Sequence, residues 1–171
     1  MSEAARLFLT LWPDAAVRRE LVAWCDGWQW PRGATPVHED NLHLTLHFIG
    51  NVERAAIGAL RQALRVPVTP FDVELGVPAL WQRGIAVLEP LANPAALLTL
   101  HATLAAQLLQ AGLALEERPY RPHVTIARCA GGAVPPAAGP QIRWQAAGYA
   151  LVESTGGRYV VLEHYGAWIR P

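Results

Sequence analysis

The tetrapeptides His43-Leu44-Thr45-Leu46 and His123-Val124-Thr125-Ile126 share the form His-x-Thr-apolar and lie 80 residues apart in the chain. Successive side chains on a strand face opposite sides of a sheet. Leu42, Leu44, Leu46 and Phe48 are therefore predicted to pack inward while His43, Thr45 and His47 face out. In the second copy Val124 and Ile126 form the packing face, and His123 shares the other face with Thr125. A His and a Thr two apart on a strand stand roughly 6–7 Å apart, close enough to touch one small ligand. Two imidazoles and two hydroxyls suit a phosphodiester. A neutral imidazole takes a proton from water, a protonated one gives a proton to the departing oxygen, and hydroxyls donate to the non-bridging oxygens. The ordinary imidazole pKa of about 6.5 puts both states within reach near neutral pH. No metal or nucleophilic side chain is required.

The flanks extend the pattern. Arg121 precedes the second motif and Arg128 follows it, which sets guanidinium groups where bidentate contacts to a phosphate would be made. Phe48 and Tyr120 are the aromatic candidates for stacking on a base. His38, His101 and His164 lack a motif and read as packed or exposed histidines, and the seven Trp read mostly as core, with none assigned to the site. Trp12, Trp30 and Trp81 do sit at predicted strand ends or loops, where a ring can line a groove. His43 and His47 form an HxxxH pattern, which on a helix would suit zinc. On the predicted strand the two stand about 13 Å apart and cannot share one ion.

These residues need elements to position them. Arg6 to Trp12 reads as a buried strand, and Pro13-Asp14 starts a helix running to about Gly27, with Val17, Leu21, Trp24 and Trp28 along one side. A second strand spans Asn41 to Gly50, and helical spacing returns from Glu53 to Arg65. Strands follow at Phe71 to Val77 and Gly84 to Leu88. A helix is predicted from Pro94 to Gln110, then strands at His123 to Arg128, Ile142 to Glu153 and Tyr159 to His164. Helices and strands mix without a strict βαβ rhythm, so the fold class is α+β.

Composition bounds the rest. The chain has 171 residues, just over half of them apolar, and 14 basic against 14 acidic side chains. One domain or one bilobed unit over residues 1–171 is expected, burying about 70% of its unfolded surface. The neutral balance excludes a protein that coats long nucleic acid through bulk charge, yet leaves room for a site taking one or two phosphates. All 14 basic residues are Arg, so chemistry that needs a Schiff-base or Walker lysine is excluded. Cys25 and Cys129 form no CxxC pair, and the Met1–Arg6 opening has neither a basic nor an apolar leader region, so a cytoplasmic protein is expected. Pro90 to Leu115 holds no charged residue, but its polar positions recur opposite Leu97, Leu100, Leu104 and Leu108, which predicts an amphipathic helix and no membrane contact.

The segments Asn41-Leu-His-Leu-Thr-Leu-His-Phe-Ile-Gly50 and Arg121-Pro-His-Val-Thr-Ile-Ala-Arg128 resemble the two signatures of the 2H phosphoesterase superfamily, and the branch they are most similar to is the RNA 2′,3′-cyclic phosphodiesterases, also called 2′-5′ RNA ligases. The Arg6-Leu-Phe opening, the Trp12-Pro13 turn, Leu100-His101 and Val152-Glu153-Ser154 with Tyr159 resemble that branch too. The resemblance implies a bilobed α+β fold, two pseudosymmetric lobes with antiparallel sheets flanked by helices around a central cleft. It implies hydrolysis of RNA 2′,3′-cyclic phosphate termini to 2′-phosphomonoesters without a metal or other cofactor, and a weak reverse 2′-5′ ligation. His43 would then donate the proton to the leaving 3′ oxygen and His123 would activate water, with Thr45, Thr125 and Arg128 holding the phosphate. Phe48, Tyr120 and Arg121 would be further substrate contacts. The expected partner is an RNA 3′ terminus or a small cyclic nucleotide, and the protein is expected to be a monomer. Two departures stand out: His47 occupies a position where relatives commonly carry another, basic residue, and the loop from Gly131 to Pro140 holds no charge.

Two other readings use the same residues. One keeps the chemistry and changes the substrate to ADP-ribose cyclic phosphate or a 2′-5′-linked oligonucleotide. The other is a nucleotide or RNA-end binding module that turns over nothing; the intact pair of histidines and threonines argues against it.

Overall fold

The computed structural model describes residues 3–167, so Met1 and Ser2 of the Met1–Arg6 opening lie outside the described residues. Strand β1 (Ala4–Leu11) leads into helix α1 (Ala15–Cys25), whose first turn is capped by the Asp14 carboxylate accepting the Val17 N–H at 2.9 Å. A two-residue strand β2 (Thr35–Pro36) precedes β3 (Leu44–Glu53), which runs straight into α2 (Arg54–Ala63). Then come β4 (Phe71–Trp81), β5 (Ile85–Pro90) and α3 (Ala95–Gln110), followed by β6 (Val124–Arg128), β7 (Ile142–Ala146), β8 (Gly148–Thr155) and β9 (Arg158–Gly166). The leucine stripe predicted for α3 is its buried side: Leu97, Leu100, Leu104 and Leu108 all face the core. No helix among the described residues is long and apolar enough to cross a membrane.

All the strand pairings are antiparallel, and the sheet order is β7-β4-β5-β6-β3-β1-β8-β9, with β2 laid on β6. This order divides into two four-stranded lobes, β6-β5-β4-β7 and β3-β1-β8-β9, which meet where Leu44 of β3 pairs with Val124 of β6. Each lobe contains the same unit of strand, helix and antiparallel neighbouring strand: β1-α1-β3 in one, β5-α3-β6 in the other. The result is an α+β fold with two pseudosymmetric lobes, and the strands led by the two His-x-Thr motifs lie side by side at its middle.

Two predicted features are corrected. The expected single strand from Ile142 to Glu153 is two strands, broken at Ala147, because the chain there leaves one lobe for the other: β7 pairs with β4 and β8 with β1. The crossing is tight, since a Cβ on Gly148 would stand 2.3 Å from the Tyr165 carbonyl oxygen. The crossing is tied down by Tyr149, fully buried, whose hydroxyl donates to the Leu64 carbonyl at 2.7 Å and accepts the Val66 N–H at 2.9 Å.

The second correction concerns the alternation along β3. Leu42, Leu44 and Leu46 are buried as predicted, but His47 is buried as well and Phe48 is exposed. Thr10 pairs with Thr45 while Leu9 pairs with His47, which leaves Leu46 as an extra residue opposite no partner in β1. This β-bulge reverses the facing of the two residues after it, and a second extra residue, Ile49, restores the alternation so that Val52 is buried again. His47 turns toward α3, its Nε2 standing 2.8 Å from the His101 carbonyl oxygen, and Phe48 turns to the surface, where the Arg6 guanidinium lies 4.9 Å from its ring centre.

Candidate active site

His43 and His123 each sit one residue before the start of a central strand, β3 and β6. The residues that follow them, Leu44 and Val124, are fully buried partners, so both rings are anchored by the same point of the sheet. Each Nδ1 reaches back to the carbonyl oxygen two residues earlier, His43 to Asn41 at 2.6 Å and His123 to Arg121 at 2.7 Å. A carbonyl only accepts, so each Nδ1 carries the proton and each Nε2 holds a lone pair when the ring is neutral. The Nε2 of His43 stands 3.1 Å from the Thr45 hydroxyl oxygen.

Burial pushes the His43 ring down to a pKa of about 4, against the Asn41 hydrogen bond, with the charges of His123 and Arg128 adding to the fall. His123 is also held below the ordinary imidazole value, first by burial and further by Arg121 and Arg118, while its Arg121 hydrogen bond and the Glu89 carboxylate oppose the shift. Both rings are therefore neutral at pH 7 in the ligand-free protein. Three guanidinium groups depress them, so an anion lodged between them raises both.

Rings wall in each histidine. Phe8, Trp12 and Tyr159 surround His43 with centroid distances of 5.1, 5.8 and 5.4 Å. Trp81 lies against His123 at 4.3 Å, and the Arg121 guanidinium stands over Trp81 at 4.7 Å. A cavity of about 620 Å³ opens beside His123 and Thr45 and runs past Phe48, Tyr120 and Arg121 to His101.

Five of the eight residues singled out from the sequence thus line one cavity: Thr45, Phe48, Tyr120, Arg121 and His123. His43, Thr125 and Arg128 lie outside its lining. His43 is behind Thr45 in its own aromatic surround, Thr125 is on β6 paired with Val87, and Arg128 is at the exposed end of β6 paired with Thr35 of β2. The Tyr120 ring is stacked on His101 at 3.8 Å and 11°, with its hydroxyl donating to the Thr45 carbonyl at 3.1 Å, so one face of this ring is already covered. His101 is stacked in turn on His47 at 4.0 Å.

His101 and Trp81 are cavity residues to which the sequence assigned no role. The position of Trp81 at the predicted end of a strand was the available signal for it. For His101 there was only its place on the flank of the buried leucine stripe, beside Leu100. Among the described residues, no group of three or more His, Cys, Asp or Glu side chains is gathered closely enough to hold a metal ion.

Comparison with known proteins gives a consistent picture. The 2′-5′ RNA ligase superfamily model matches residues 15–158. A protein of Escherichia coli strain K12 described as an RNA 2′,3′-cyclic phosphodiesterase is 34% identical over 161 residues, covering 91% of this chain and 87% of that one. Among solved structures, E. coli LigT complexed with 3′-AMP superposes with a TM-score of 0.88 at 27% identity, covering 96% of this chain and 98% of that one. A Thermus thermophilus protein, TT0787, superposes with a TM-score of 0.78 at 27% identity, covering 94% of this chain and 97% of that one.

Proposed function

Since the chain belongs to the 2′-5′ RNA ligase superfamily, we infer that it is an RNA 2′,3′-cyclic phosphodiesterase, hydrolysing cyclic phosphate termini to 2′-phosphomonoesters with His43 and His123 as its acid and base. The observation that carries this reading is the matched anchoring of the two rings. Both Nδ1 atoms are spent on backbone carbonyls, which leaves both Nε2 atoms for proton transfer at the paired strand ends.

In the reaction the substrate phosphate brings the negative charge that the site lacks, and this raises both depressed imidazole pKa values. The reaction needs the proton on His43 Nε2 and a neutral His123, so the bound phosphate must raise His43, held down to about 4 in the ligand-free protein, more than it raises His123. The His123 Nε2 removes a proton from water as its oxygen attacks phosphorus. The bond from phosphorus to O3′ breaks, and O3′ takes the His43 proton. The products are a 2′-phosphomonoester and a free 3′ hydroxyl, one water having been added across the bond. Exchange of the proton from His123 to solvent and from solvent to His43 resets the pair. Thr45, Thr125 and Arg128 hold the non-bridging oxygens, the hydroxyls by single hydrogen bonds and the guanidinium by charge. The protein acts on RNA 3′ ends as a cytoplasmic monomer in this reading.

The test is incubation of the protein with an oligonucleotide ending in a 2′,3′-cyclic phosphate, with EDTA present, beside His43→Ala and His123→Ala. A 2′-phosphate product from the parent alone is expected. No product from the parent, with turnover instead of ADP-ribose cyclic phosphate or a 2′-5′ linkage, would move the chemistry to that substrate. Tight nucleotide binding without turnover of any of these would make the protein a binding module.

A further inference from the structure

We propose that Glu89 is the positioning residue for His123, acting through a clamp that its carboxylate closes on Arg121 and Trp81. The proposal rests on the reading of His123 as the base.

Glu89 lies near the end of β5, the strand beside β6. Its Oε1 accepts from the Trp81 indole N–H at 2.9 Å and from an Arg121 guanidinium nitrogen at 2.7 Å, and its Oε2 accepts from Arg121 Nε at 3.2 Å. Only 16% of the Glu89 side chain is exposed, against 60% for Arg121, so the carboxylate is the more enclosed partner of the pair. A two-point grip on a planar guanidinium sets its direction as well as its distance.

Both residues held by Glu89 bear on His123. The Arg121 carbonyl accepts the His123 Nδ1–H, which fixes the ring's tautomer and aims its Nε2. The Trp81 ring packs against the imidazole at 4.3 Å, tilted by 55°, and blocks rotation on that side. The Arg121 guanidinium covers Trp81 at 4.7 Å, so the two holds brace each other. The charged groups facing His123 are Arg118 and Arg121 in the segment before β6, His43 across the strand pair, and Glu89 on β5, which alone of these is negative. Replacing Glu89 frees a cation beside the base, leaves an indole N–H without its acceptor and removes the one negative charge facing the ring.

The role gives Arg121 work other than phosphate contact. Glu89 is largely buried and also accepts from the Trp81 indole, so its loss bears on the local fold as well, and kcat, KM and the His123 midpoint separate the effect on the base from that on stability.

Glu89→Gln keeps the size and an acceptor for the indole while removing the charge; Glu89→Leu removes both. Each is compared with the parent and with His123→Ala on the cyclic phosphate oligonucleotide, and the His123 ring is titrated by NMR in the ligand-free proteins. Expected is a fall in kcat of about 10–100-fold for Glu89→Leu and a smaller one for Glu89→Gln, with KM within about threefold, as for a group that aims a catalytic residue without touching substrate. The His123 midpoint should move to lower pH in both variants, and that of His43 should move less. In an Arg121→Ala background, Glu89→Gln should lose most of its effect on kcat. Unchanged kcat and an unchanged His123 midpoint in Glu89→Gln, with His123→Ala inactive in the same assay, would overturn the proposal and leave the reading of His123 intact. Full activity of His123→Ala would remove that reading, and the proposal with it. Glu89→Gln carries the test alone if Glu89→Leu does not fold, because it changes no shape.

Discussion

His43 and His123 make the same hydrogen bond: each donates Nδ1–H to the carbonyl oxygen two residues back, at 2.6 and 2.7 Å. This repeat is the chemical counterpart of the repeat in the sequence. The residues after them, Leu44 and Val124, are paired antiparallel, so a local two-fold relation runs through that pair and presents the two Nε2 atoms from opposite lobes. The two rings differ in surroundings more than in geometry. His43 is walled by three aromatic rings, whereas His123 has a carboxylate nearby, and His43 is accordingly the one driven down to a pKa of about 4.

That asymmetry sets a pH profile. A site that needs one proton shared between two histidines is active between their two macroscopic pKa values. In the free protein one of these is about 4 and the other lies below 6.5. The profile of kcat/KM should therefore be a bell whose alkaline limb falls below pH 6.5. The profile of kcat should lie at higher pH, because the bound phosphate anion raises both rings. Initial rates over pH 4–9 at low and saturating substrate separate the two. An alkaline limb of kcat/KM above pH 7 would contradict the electrostatics.

The same shift has a sign for stability. The unfolded chain holds the His43 proton below about 6.5 and the folded one only below about 4, so the unfolded state binds more protons in between. Stability is complete above pH 6.5 and is lost as pH falls toward 4. His101, also held down to about 4 by burial and by His47 beside it, acts in the same direction. His43→Gln, which titrates nowhere in this range, should show a smaller drop in Tm between pH 7 and pH 5 than the parent. Thermal unfolding at the two pH values measures it; equal drops would remove His43 from the effect.

The stack of Tyr120 on His101 connects helix α3 to the motif strand through the Tyr120 hydroxyl on the Thr45 carbonyl. Tyr120→Phe keeps the stack and leaves that carbonyl short of a donor, at a cost of about 1 kcal/mol. His101→Ala removes the stacking partner, at about 0.5–1.5 kcal/mol beyond the area lost. Both loosen the cavity wall more than the reacting atoms, so KM should rise up to about tenfold while kcat changes less. Steady-state kinetics on the cyclic phosphate oligonucleotide decides this, and a fall in kcat at constant KM would place Tyr120 among the residues that act on the transition state.

What the sequence disclosed here follows the range of each signal. The strands at the two motifs and the Leu97, Leu100, Leu104, Leu108 stripe are local periodicities, and they appear in the structure within a few residues of where they were expected. The bulge at Leu46 was not legible because it is a property of the pairing with β1, and it decides that His47 goes in and Phe48 out. The break at Ala147 was hidden for a related reason: alternation continues through β7 and β8, and only their partners, β4 and β1, differ. Trp81, His101 and Glu89 come near the motifs from β4, α3 and β5, and no spacing in the sequence joins them to His123 or Thr45.

The pairing of Leu44 with Val124 carries the last prediction. Both side chains are fully buried, and theirs is the Cα pair at which β3 and β6 are matched, so it sets the distance between the two motif histidines, the proposed acid and base. Leu44→Ala removes buried volume there and should cost about 2–5 kcal/mol, with the backbone free to relax into the gap. Leu21→Ala on α1 opens an equally buried site away from the pair and should cost a similar amount. Assayed at a temperature where both variants remain folded, Leu21→Ala should keep kcat within about twofold of the parent, and Leu44→Ala should lose about tenfold or more, since a shift of 1 Å in a catalytic group costs about 100-fold. Tm and kcat measured together on the two variants make the comparison. Equal kcat at equal destabilisation would mean that the strand pair stabilises the sheet without setting the geometry of the histidines.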